Sequence, residues 1–319
     1  MIDAGSGVGV IIPGHRHWSI RLDLPSGHRQ LDLFSDSSGT VTANELIDAL
    51  LRRSAPQASA CLGKLYAAEP DYPGLSKLHA LCQALQDWPF PAVSPKDIDD
   101  SARWLEEIVE PAARTVMPRS LRQFMQPFWL DLADAAAAAG YDPEHPRACA
   151  AGLYLRAGEP ARALEITTTL DDGLNLPEML AWRTEALYRL RGADACRPAL
   201  LRHALLAPAD FADLLDRLND DVYNRRWAAF RSCGLWLDLP QHAVAEWFPA
   251  WHGLVHSDIP LDDVLIPKPP SRAGQALDLV VRLLELEKQG MSPALIAERT
   301  RLRELDHDSF ELYMELRGG

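Results

Sequence analysis

Ala150-Ala151-Gly152-Leu153-Tyr154-Leu155-Arg156-Ala157-Gly158 and Glu185-Ala186-Leu187-Tyr188-Arg189-Leu190-Arg191-Gly192 are the stretches whose comparison decides the fold. Tyr154 and Gly158 recur as Tyr188 and Gly192 at an offset of 34 residues. Each glycine stands where a helix has to stop and the chain turn back, a place suited to a residue that accepts positive φ. A second segment of helical period follows each one. The first runs through Ala163, Leu164 and Ile166, the second through Leu200, Leu201 and Ala204, ending before Pro208. Two helix pairs in tandem at a fixed period predict a mainly α chain of solenoid-like helical hairpins, in which neighbouring pairs bury one another's apolar faces.

This pattern resembles the tetratricopeptide family, whose unit is a 34-residue pair of antiparallel helices. The family's aromatic and small positions would fall on Trp182, Tyr188, Gly192, Ala204 and Pro208 in the second unit, and on Tyr154, Gly158 and Ala163 in the first. Two positions depart from it: Arg197 stands where the first unit has Ala163, and Ala148 where the second has Trp182. The resemblance covers about 70 residues, so flanking helices would serve as atypical units or caps around a stack that needs about three units. It implies a concave face that binds a peptide or partner protein, with Arg156, Arg183 and Arg189 as candidate groove residues. Glu178 and Glu185 lie close to them in sequence and weaken a pure carboxylate clamp.

Outward from the repeat, the chain divides at its prolines. Residues 1–40 alone have strand character: Val10, Ile11 and Ile12 form a β-prone run, and Trp18, Ile20, Leu22 and Leu24 alternate with polar residues before Pro25-Ser26-Gly27. A small N-terminal β-hairpin is expected there. Residues 41–90 read as a small helical domain, with Thr42 and Glu45 as a capping-box pair. Trp88-Pro89-Phe90-Pro91-Ala92-Val93-Ser94-Pro95 interrupts any helix. A helical body over 96–257 follows, including a helix over 98–116 with a bend at Pro111 and one over 120–139 closed by Gly140. Residues 258–272 form a proline-rich connection, and 273–319 a set of terminal helices. Leu277, Val280, Val281, Leu284 and Leu286 make an apolar stripe for docking onto the body or onto a second subunit.

Between residues 210 and 256 lies an aromatic region holding four of the nine tryptophans. Tyr223, Trp227 and Phe230 follow a helical stripe, as do Trp247 and Trp251, and aromatic residues serve both as core fillers and as interface anchors. Tyr223, Arg226, Trp227, Trp247 and Trp251 are therefore candidate binding residues, with core packing as the competing assignment.

The 319 residues carry 45 acidic and 32 basic side chains, a formal charge of −13. No basic platform exists for nucleic acid, which requires clustered Lys and Arg to replace counterions. No apolar segment approaches the ~20 residues that span a bilayer. Five cysteines, widely spaced and without a C-x-x-C pair, suit free thiols in a reducing compartment, and the expected location is the cytoplasm. Walker A, G-x-S-x-G and Rossmann glycine motifs are missing. His252, His256 and Asp258 are the nearest approach to a metal-ligand set, with the histidines one helical turn apart but without an adjacent glutamate base. Three roles follow: a protein- or peptide-binding adaptor without catalysis or cofactor, a metal-dependent hydrolase using those three residues, or a structural subunit of a larger assembly.

Overall fold

Apolar residues at helical spacing build the N-terminal half. Leu46 and Leu50 of α1 (Ser38–Leu51), Leu62 and Leu65 of α2 (Ala55–Ala68), and Leu78, Leu81 and Leu85 of α3 (Leu75–Gln86) converge on one core. The computed structural model describes residues 38–89, 94–169, 176–236, 238–240, 242–264 and 271–318. Among them there is no strand, and the secondary structure is helical throughout. The expected N-terminal hairpin lies outside the described residues, apart from residues 38–40, which begin α1. Thr42 is not a cap: it sits one turn inside α1 and its hydroxyl donates to the Ser38 carbonyl at 2.8 Å.

Ser94 opens α4 (Pro95–Trp104) with a capping box, its hydroxyl accepting from the Asp97 amide while the Asp97 carboxylate accepts from the Ser94 amide. The bend expected at Pro111 takes the form of a π-helical turn, Leu105–Val109, leading into α5 (Glu110–Val116). Proline offers no amide and crowds the carbonyl four residues before it, and a widened turn immediately upstream accommodates both. α6 (Leu121–Ala139) ends at Gly140, as its sequence predicts.

The proline-rich break around residues 88–95 divides helices but not cores. Ile98, Leu105, Phe124, Phe128 and Leu132 belong to the same buried cluster as Leu46 and Leu81. Trp88 packs edge-on against Phe128 at 4.8 Å and its indole N–H donates to Asp131.

The repeat region forms two consecutive helix pairs, α7 (Ala150–Ala157) with α8 (Pro160–Thr169) and α9 (Pro177–Arg191) with α10 (Ala193–Leu206), followed by α11 (Phe211–Leu218), which packs on α9, and α12 (Asp221–Ser232), which packs on the helix after it. Gly158 and Gly192 close the first helix of their pairs at φ of 81° and 83°, a conformation costly to any residue with a Cβ. Ala163 and Ala204, the small positions of the second helices, are fully buried. α7 packs against α6, α8 and α9, and α9 against α8, α10 and α11. The N-terminal core thus reaches Ala186, and a second one begins at Ala181 on the same helix.

The second core is filled by α10 to α12, α13 (Phe248–Val255), α14 (Arg272–Gln289), α15 (Pro293–Leu305) and α16 (His307–Leu316). Ser271, Ser292 and Asp306 cap the last three helices through their side chains. Leu277, Val280 and Val281 are buried, and Leu284 and Leu286 pack on the same core, so the stripe on α14 is satisfied within the chain. Residues 38–319 accordingly make one unit. No helix among the described residues is long and apolar enough to cross a membrane.

Candidate functional site

A helix exposes a stripe of residues three and four apart, and α9 presents two such stripes on different sides. Glu178, Trp182, Glu185 and Arg189 lie along one. With Gly152, Leu155 and Arg156 of α7 and Asp213 and Arg217 of α11, they line an open cavity of about 500 Å³. That size suits a small ligand or a short stretch of peptide. His203 of α10 and Asp210, just before α11, complete the wall. The first helices of the two pairs thus share one groove with α11. Gly152 permits the close approach of α7 and α9, since a Cβ there would lie 3.0 Å from the Trp182 indole nitrogen.

Two of the three groove arginines expected from sequence are here, and both are already engaged. The Arg156 guanidinium lies 2.7 Å from the Glu106 carboxylate and 5.2 Å over the Trp129 ring. Arg189 donates to the Leu155 carbonyl at 2.6 Å and pairs with Glu185. Arg217 faces the other oxygen of Glu185 at 3.9 Å. Arg183 is not part of this site. It lies on the other stripe of α9, lining a separate cavity of about 350 Å³ with Arg202 and Asp263, where its charge helps lower the Arg202 pKa after burial has done most of the lowering.

The remaining carboxylates of the groove, Glu178, Asp210 and Asp213, are exposed, and no ion pair holds any of them among the described residues. His203 is 2% exposed, and its Nδ1 has no hydrogen-bond partner. Burial presses its pKa down to about 4, so the imidazole is neutral at physiological pH. Trp182 is half-buried, meeting Tyr141 edge-on at 6.4 Å.

The aromatic candidates belong to the core instead. Tyr223, Trp247 and Trp251 are 5% exposed or less, and the Tyr223 hydroxyl donates to the Ala193 carbonyl. Trp227 stacks on Phe230 at 5.3 Å, while Phe248 sits among Phe211, Phe230 and Trp251. Helical aromatic stripes close on one another here because α12 and α13 turn them to the same interior. Arg226 follows them inward and donates to His252 Nε2 at 3.1 Å.

That contact also corrects the metal alternative. His252 is fully buried, its Nε2 is taken by a guanidinium, and its pKa is pressed down to about 3 by burial and by Arg226. His256 packs against it at 4.9 Å, whereas Asp258 is exposed. Among the described residues no group of three His, Cys, Asp or Glu side chains is placed to hold a metal ion. The cysteines are all unpaired, and burial raises the thiols of Cys82 and Cys149 to about 11 and Cys196 to about 12, far from the range of a reactive thiolate.

No protein-family model, curated protein or solved structure matches the chain. Sequence reading singled out neither Glu106 as the partner of Arg156 nor His203, Asp210, Asp213 and Arg217 as groove residues. Only Arg217 carried a usable signal, four residues after Asp213 on a short amphipathic helix. The others come together solely through tertiary packing.

Proposed function

We propose that the chain is a helical-repeat scaffold that binds a peptide or an extended segment of a partner protein in the groove of α7, α9 and α11. One observation carries the reading: the first helices of two consecutive hairpins, α7 and α9, line a single groove of about 500 Å³ together with α11, while the second helices contribute only His203 to it. α11 begins 34 residues after α9, the same offset as that between Tyr154 and Tyr188. This arrangement supports the tetratricopeptide-like interpretation, with α6 and α12 to α16 as the flanking caps. Five unpaired cysteines agree with a reducing, cytoplasmic setting.

The test is photo-crosslinking of a random hexapeptide pool to the full chain, with a benzophenone amino acid at position 213 or 217 and a control at Ile296 on α15. Peptide adducts at the groove positions, competed by unlabelled pool and missing at the control, support the scaffold reading. Equal labelling at all positions contradicts it.

A further inference from the structure

We infer that the cavity on the other stripe of α9 holds a small monocarboxylate with an apolar body, its carboxylate on Arg183 and its body against the walls of α9 and α10. This site is separate from the peptide groove and does not depend on the scaffold reading.

The walls follow from helical spacing. Leu180, Arg183 and Leu187 recur at three and four residues along α9, and Ala195, Ala199 and Arg202 do the same along α10, so each helix turns one face to the same space. With Pro198 and Asp263 they line a cavity of about 350 Å³, a size that takes a small ligand. Leu180 and Ala199 are buried, and Leu187 and Pro198 half-buried, so the surface between the charges is apolar.

Two guanidinium groups and one carboxylate stand around this space, which leaves one positive charge over. Arg202 is fixed by its own chain: its Nη2 donates to the Asp263 carbonyl at 2.7 Å and its Nε to that of Val264 at 3.5 Å. Arg183 is half-buried, yet among the described residues it makes no hydrogen bond and no ion pair. A guanidinium taken partly out of water without an acceptor loses solvation that nothing replaces. Its charge also bears on Arg202, whose pKa is lowered first by burial and then by Arg183, with only part of the loss restored by Asp263. A carboxylate meets both conditions, accepting two parallel N–H bonds from the planar fork of Arg183 and cancelling the surplus charge. A phosphate dianion would bring a second negative charge up against Asp263. A carboxylate without an apolar body would leave Leu187 and Pro198 facing water.

The experiment titrates the full chain by isothermal calorimetry with octanoate, octanamide and octyl phosphate. We expect octanoate to bind once per chain, and octanamide, with the same body but no charge, about tenfold more weakly. Arg183→Gln should weaken octanoate about tenfold and leave octanamide unchanged, while Arg303→Gln, which removes an exposed charge from α15, should alter neither. Asp263→Asn should strengthen octanoate severalfold, a gain that a damaged fold cannot produce, and this variant decides the matter if Arg183→Gln does not fold by circular dichroism. Equal binding of octanoate and octanamide overturns the inference, as does octanoate binding that a folded Arg183→Gln leaves intact. Tighter binding of octyl phosphate than of octanoate overturns the choice of a monoanion. No binding of octanoate up to about 10 mM overturns the site altogether. The peptide groove is untouched by any of these results, because its crosslinking positions lie on α11.

Discussion

Phe248→Ala separates core from interface in the aromatic region. Phe248 is fully buried, with ring centroids of Phe211, Trp227, Phe230, Trp251 and His252 all within 5.9 Å. Truncation removes the ring from water-free surroundings and leaves a cavity that five rigid rings cannot easily collapse, a cost of about 3–5 kcal/mol. For a unit this large each kcal/mol moves the melting temperature by roughly 2–4 °C, so a fall of roughly 6–20 °C is expected. Phe248→Leu keeps most of the volume and loses mainly the ring-on-ring geometry, about 1–2 kcal/mol. Thermal melts followed by circular dichroism measure both, and peptide capture by the groove, read below the melting transition, should be unchanged. A shift of less than 2 °C in Phe248→Ala, or loss of peptide capture with the melt unaltered, would refute the assignment of this cluster to the core.

Four further outcomes are expected. Tyr154 donates to Asp134 at 2.7 Å and accepts from Arg162 at 2.6 Å, so Tyr154→Phe should cost about 1 kcal/mol, seen as a small fall in melting temperature with unchanged helicity. Asp306 accepts from the Trp236 indole at 3.1 Å and the Ser309 amide at 2.8 Å, capping α16 and tethering the segment after α12; Asp306→Ala should cost about 2 kcal/mol in urea melts. His203 and His252 have folded pKa values of about 4 and about 3, below the unfolded value, so the unfolded chain binds more protons as pH drops through 6.5 and stability is lost. Between pH 7 and 5 that amounts to about 2 kcal/mol for each histidine, and a His203→Gln, His252→Gln variant should lose correspondingly less over the same interval. Glu106→Gln frees Arg156 from its 2.7 Å partner, and should raise the share of acidic sequences among the captured peptides.

The helices were largely legible because their ends carry local chemistry. Ser271 and Gly290 bracket α14 at the boundaries its apolar period predicts, and Gly140, Gly158 and Gly192 stop their helices where expected. α1 shows the limit: Thr42 and Glu45 mimic a capping box, but the chain is already helical at Ser38. The aromatic region could not be assigned from spacing, since core fillers and interface anchors use the same helical stripe. Arg183 and Arg189 share a helix, and their six-residue separation already places them on different sides of it. Which side faces the groove depends on where α7 and α11 dock. The charge state of the groove was hidden altogether: Glu106 comes from a π-helical turn fifty residues before Arg156, and nothing local links the two.

The most direct test is amide hydrogen exchange of the full chain with and without a saturating random hexapeptide pool. The account predicts added protection confined to residues 150–157, 177–191 and 210–218. Protection elsewhere, for example along α14 to α16, or none at saturation, would contradict it.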